Sequence, residues 1–151
     1  MRLPARVAAA SLLAVAMMLG ACSSSGEVER FIADAQVRAD AVEDDLRRVE
    51  EQVKDQVMDL PQQVRGGVTD AVASAQAATD EARLALEKAA NGSDDAVVAL
   101  ADAQVALDAA SAELQYAKET AAQAGSEVAG SLERLHDQID ALRGETSRAA
   151  T

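Results

Sequence analysis

The sequence predicts an all-α protein of long, alanine-rich amphipathic helices, forming an antiparallel three- or four-helix bundle or a coiled coil. Three observations carry that expectation. Ala, Glu, Gln, Leu and Arg, all good helix formers, dominate from Glu27 to about Arg143, and no run alternates as a half-buried strand would. Apolar residues recur there in steps of three and four. The breaks between these rows are short and carry glycine or proline, which favours antiparallel neighbours.

The first helix has the clearest row. Val28, Ile32, Ala35, Ala39, Val42, Leu46, Val49 and Val53 hold a heptad, and Val57, Leu60 and Val64 follow after an extra step of four. Pro61 disfavours helical geometry at Leu60, and Gly66-Gly67 follows, so the first helix is placed to end near residue 60. The second runs from Val68 to Ala90 on a seam of Val68, Val72, Ala75, Thr79, Ala82, Leu86 and Ala89. Its small residues suit a close partner backbone. Asn91-Gly92 reads as a stop, and Ser93-Asp94-Asp95 as a start whose acids meet the positive helix end.

In the third segment Leu100, Leu107 and Leu114 lie seven apart, with Ala103, Ala110 and Ala117 between them. The step continues through Ala121, Val128, Leu135 and Leu142, while the partner row shifts to Leu132 and Ile139 after Ala124. Because the frame carries through Gly125 and Gly130, one helix or two collinear ones are expected. Gly144 to Thr151 reads as a frayed, disordered tail.

Composition restricts the function. The hydrophobic share is 49%, but Phe31 and Tyr116 are the only aromatic residues and alanine supplies much of the rest. Alanine buries little apolar surface, so close helix packing is expected rather than a deep core. The net charge of −12 excludes nucleic acid as a natural partner. One cysteine forms no internal disulfide.

That cysteine ends the most informative segment. Arg2 and Arg6 precede Val7 to Leu19, an apolar run too short for an ordinary transmembrane helix. A short basic stretch before a short apolar one is an export signal. Leu19-Gly20-Ala21-Cys22 then resembles the bacterial lipobox: an aliphatic residue, two small ones and a cysteine. The resemblance implies cleavage after residue 21 and a diacylglycerol on the Cys22 thiol. Residues 22–26 would be a lipidated tether and 27–143 the helical domain. Loss of Arg2 and Arg6 would leave 12 basic against 26 acidic residues, a charge near −14. Two or three acyl chains anchor a protein stably where one is marginal. The expected location is the extracytoplasmic side of a bacterial cell membrane. In a Gram-negative host it would be the inner leaflet of the outer membrane, since Ser23 is not the aspartate that retains lipoproteins at the inner one.

The alanine-rich layout loosely resembles murein lipoprotein. That family ends in a lysine joined to peptidoglycan; Arg148-Ala149-Ala150-Thr151 offers none, so the covalent link is not expected. The expected role is structural or adaptor, through a helical protein partner or self-association. A parallel homodimer through the first seam would pair Arg38 with Glu43 but set Asp45 against Glu50, which favours an intramolecular bundle. The competing reading is a lipid-surface binder similar to exchangeable apolipoproteins, opposed by the acidic surface and the scarcity of aromatic residues.

No catalytic residue, metal site or cofactor is expected. His136 is a lone histidine off the seam and is read as exposed. Glu43-Asp44-Asp45 and Asp94-Asp95 read as solvated charge rather than a calcium loop. Asn91-Gly92-Ser93 matches a glycosylation sequon but reads as a turn. Phe31 and Tyr116 are read as packing at the seam edge.

Overall fold

Residues 25–151 are described by the structure, a computed structural model. Four α-helices follow in order: α1 Ser25–Gln56, α2 Gln62–Ala90, α3 Ala96–Gln123 and α4 Val128–Ala149. They form an up-down-up-down antiparallel bundle in which α1 packs on α2 and α4, and α3 packs on α2 and α4. The α2–α3 contact is the most extensive.

The heptad rows become the core. On α1, Ile32, Ala35, Ala39, Val42, Leu46, Val49 and Val53 are all buried. On α3 the row from Leu100 to Ala121 is buried, and on α4 Val128, Leu132, Leu135, Ile139 and Leu142 join it. Among the described residues the buried core runs from Ile32 to Ala149, with Val28, half-buried, packed against its edge. Two hydroxyls inside it are satisfied locally: Thr79 donates to the Ala75 carbonyl (2.8 Å) and Thr146 to that of Leu142 (2.9 Å).

The boundaries correct four sequence expectations. α1 ends at Gln56, earlier than residue 60, and one 3-10 turn (Val57–Asp59) leads to Pro61. The Arg65 guanidinium donates to the carbonyls of Met58 (3.1 Å) and Leu60 (3.3 Å), groups that the helix end leaves unpaired. α2 starts at Gln62 rather than Val68, so Gly66 and Gly67 lie inside a helix. Each glycine costs about 1 kcal/mol relative to alanine there, and burial of Val68 with partial burial of Val64 offsets it.

The segment expected as one helix or two collinear ones instead folds back on itself. Gly125 takes φ +70°, with Gly125 N–H donating to the Ala122 carbonyl and Ser126 N–H to that of Ala121. This left-handed C-terminal cap is free of Cβ strain only for glycine. The α2–α3 turn has the same geometry: Gly92 sits at φ +64°, and Gly92 and Ser93 donate to the Ala89 and Lys88 carbonyls. Finally, the tail expected to fray at Gly144 is helical to Ala149, with Thr146 and Ala149 buried.

Candidate functional site

The sequence-predicted lipidation residue Cys22 and its lipobox neighbours Leu19, Gly20 and Ala21 lie outside the described residues, as does the signal segment 1–21. The described bundle offers polar clusters on three of its four seams.

The α1–α4 seam carries a ladder. Arg38 meets Glu145 (3.6 Å), Gln138 donates to Asp45, and Ser131 donates to Gln52 (2.5 Å). The α1 members advance by seven while the α4 members retreat by seven. One antiparallel register therefore satisfies all three. Next to it lies a groove of about 580 Å³ with Val49 and Leu135 at its base and Asp45, Arg48, Gln52, Ser131 and Arg134 on its walls. Most of those polar groups are already engaged: Asp45 with Arg48 and Gln138, Ser131 with Gln52 and Arg134. Glu51 and Asp55 also line the groove and pair with no other described residue, so its unmet polar capacity is that of carboxylates.

On the α1–α2 seam, Arg83 reaches Glu43 (2.7 Å) and approaches Asp40 (3.8 Å). Glu43 also accepts from Arg47 (2.6 Å). The Arg47 hydrogen bond, with the charges of Arg47 and Arg83, holds the Glu43 carboxyl below its ordinary value. The Glu43-Asp44-Asp45 cluster is thus not a wholly solvated face, since Glu43 and Asp45 are half-buried and cross-linked to other helices. Asp95 is likewise lowered, chiefly by its hydrogen bond from Lys88 (2.7 Å) across the α2–α3 turn.

The α3–α4 seam holds what sequence reading missed. His136, expected to be exposed, is half-buried, with Nε2 3.2 Å from Ser111 Oγ. Ser111 donates to Asp140 Oδ1 (2.7 Å), Arg143 pairs with Asp108, and Lys118 approaches Glu133 (4.0 Å). Helical spacing alone does not reveal this cluster, because Ser111 and His136 become neighbours only when the chain reverses at Gly125.

Ser111, His136 and Asp140 have the composition of a hydrolytic triad but not its geometry. Ser111 Oγ lies 2.7 Å from Asp140 Oδ1 and 3.2 Å from His136 Nε2, and Asp140 sits on the Nε2 side of the ring (3.7 Å) rather than at the far nitrogen that a triad carboxylate orients. Nδ1 is buried without a hydrogen bond; Asp137, its nearest carboxylate, is 3.7 Å away. All three residues lie mid-helix, where backbone N–H groups are committed to the helix and supply no oxyanion hole. The cluster therefore positions α3 against α4.

Among the described residues no group of His, Cys, Asp and Glu is arranged to hold a metal ion, and no helix is long and apolar enough to cross a membrane. Phe31 is half-buried, whereas Tyr116, read as seam packing, is 67% exposed on the outer face of α3. The described residues form an all-α four-helix antiparallel bundle. No protein family, curated protein or solved structure matches it.

Proposed function

We propose that this protein is a bacterial envelope lipoprotein, anchored through acyl chains on Cys22, whose bundle serves a structural or adaptor role on the extracytoplasmic side of the membrane. The observation that carries this reading is Leu19-Gly20-Ala21-Cys22 directly after a short basic and a short apolar segment.

Bundle geometry fits such an anchor. α1 begins at Ser25, three residues past Cys22, and three residues span at most about 11 Å. The end of the bundle that holds the α1 N-terminus, the α2–α3 turn and the α4 C-terminus would lie against the bilayer. The turns at Pro61 and Gly125 would stand about 45 Å away, the length of α1. The heptad rows are used inside the bundle, so an apolipoprotein-like mode that lays them on lipid would require the helices to open.

Mass spectrometry of the mature N-terminus from native membranes tests the anchor. A chain beginning at Cys22 with added diacylglycerol mass is expected, and Cys22→Ala should abolish both processing and acylation. An unmodified N-terminus, or unaltered membrane retention of the Cys22→Ala chain, overturns the proposal.

A further inference from the structure

α3 differs from the other helices in being apolar on two opposite sides. Its inner row, Leu100 to Ala121, fills the core. Diametrically opposite, Val98, Ala101, Val105, Ala109, Ala112 and Tyr116 recur in steps of three and four, and all are exposed. Val98, Val105 and Tyr116 are each more than 60% exposed. A helix face in water ordinarily carries polar residues, and a helix apolar all round is ordinarily buried all round. The stripe runs from Val98 to Tyr116, eighteen residue steps, about 27 Å or five turns. Valines and a tyrosine alternate with alanines, giving the ridges and hollows into which another helix packs.

Charge selects among occupants. Asp102 and Glu113 flank the stripe on one side and Asp108 and Glu119 on the other; all four are exposed, and Asp108 is already paired with Arg143 of α4. The one cation of α3, Lys118, leans instead towards Glu133 on α4. A second copy docked through this face would bring carboxylates against carboxylates. A bilayer would meet no Lys or Arg to engage its phosphates and no tryptophan to enter the interface. An amphipathic helix with Lys or Arg beside its apolar row would satisfy both features.

We infer that the outer face of α3 is a docking surface for a basic amphipathic helix of another protein, added as a fifth helix outside the bundle. This rests on the adaptor reading above and gives that role a surface and a partner chemistry, but it needs no lipid. The chain from Ser23 to Thr151, which contains every core residue among the described ones, serves for the test once circular dichroism shows it helical.

The probe is a fluorescent synthetic helix of three heptads with Leu and Ala in its apolar row and Lys and Arg beside it. Its partner probe carries Glu at every Lys and Arg position. The basic helix should bind at least tenfold more tightly than the acidic one and lose affinity as salt rises. Val105→Gln should weaken binding at least tenfold with helicity unchanged, while Val37→Gln, at an equally exposed valine on α1, should leave it unaltered. Equal binding of the two probes, or equal loss in both variants, overturns the inference. So does sedimentation as a dimer that Val105→Gln dissociates, which would assign the face to a second copy. Flotation with neutral phosphatidylcholine vesicles that Val105→Gln abolishes would assign it to lipid. None of these outcomes bears on Cys22, so the docking surface and the anchor fail separately.

Discussion

The two hairpins that share α3 are joined by the same turn and held by different means. In α2–α3, the row Ala71, Ala78, Ala85 lies on the side of α2 away from Arg83, which reaches α1. It faces the row Ala96, Ala103, Ala110, Ala117, on the side of α3 away from Ser111, which reaches α4. Side chains this small contribute little burial each, and their merit is that two backbones come close enough for extensive contact. In α3–α4, leucines and Ile139 fill the interior, while Ser111, Asp108 and Lys118 bridge to α4 above them. Exposed bridges of this kind contribute about 0–1 kcal/mol each, so their weight lies in register. One hairpin is limited by how much volume it tolerates, the other by how much it would lose.

Opposite substitutions should therefore injure the two hairpins. Ile139→Ala leaves a hole on the α4 side and should cost about 2–5 kcal/mol in urea unfolding. Ala110→Leu forces α2 and α3 apart and should cost about 1–3 kcal/mol. A stabilising Ala110→Leu would show that the alanine seam is loosely packed. The shared turn gives the next effect. Gly125→Ala places a Cβ at φ +70° and should cost about 1–2 kcal/mol. Gly144→Ala, in the interior of α4 with open space around the added methyl, should gain about 0.5–1 kcal/mol.

The smallest effect concerns the α1–α2 seam, which neither hairpin contains. The folded-state pKa of Glu43 lies below its unfolded value, so its contribution is present above the ordinary carboxylate range and disappears as pH falls through the folded pKa. The melting temperature should be higher for the native chain than for Glu43→Gln at pH 7, and the gap should shrink as the solution is acidified below pH 4. A gap independent of pH would remove charge from the account of this seam.

The hairpins also differ in how openly the sequence announces them. Asn91-Gly92-Ser93-Asp94 reads directly as stop and start, and the structure has a turn there. Ala124-Gly125-Ser126-Glu127 repeats the glycine–serine–acid order and makes the same cap. It goes unread because Ala121, Val128 and Leu135 keep the seven-residue step across it. A heptad row records which residues are buried and is silent about the direction of the chain. The rows were legible on α3 and on α1 from Ile32 onward, where burial depends on side-chain type and spacing, while Val28, at the α1 start, is only half-buried. His136 and Ser111 were not, since their proximity depends on a reversal that leaves the row unchanged.

The ladder between α1 and α4 has one more consequence. Glu145 stands opposite Arg38, and α4 stops four residues later, level with Asp34. The opening two turns of α1 thus meet the end of α2, where Val28 and Glu29 lie beside Ala89 and Ala90, and have no residue of α4 across from them. They should exchange their amide hydrogens sooner than the rest of the helix. Unwinding residues 25–31 would lengthen the chain by about 13 Å, from 1.5 to about 3.3 Å per residue, and release Val28 from the edge of the core while Ile32 stays in place. A load pulling on the bundle would find slack at that point before it strained the core.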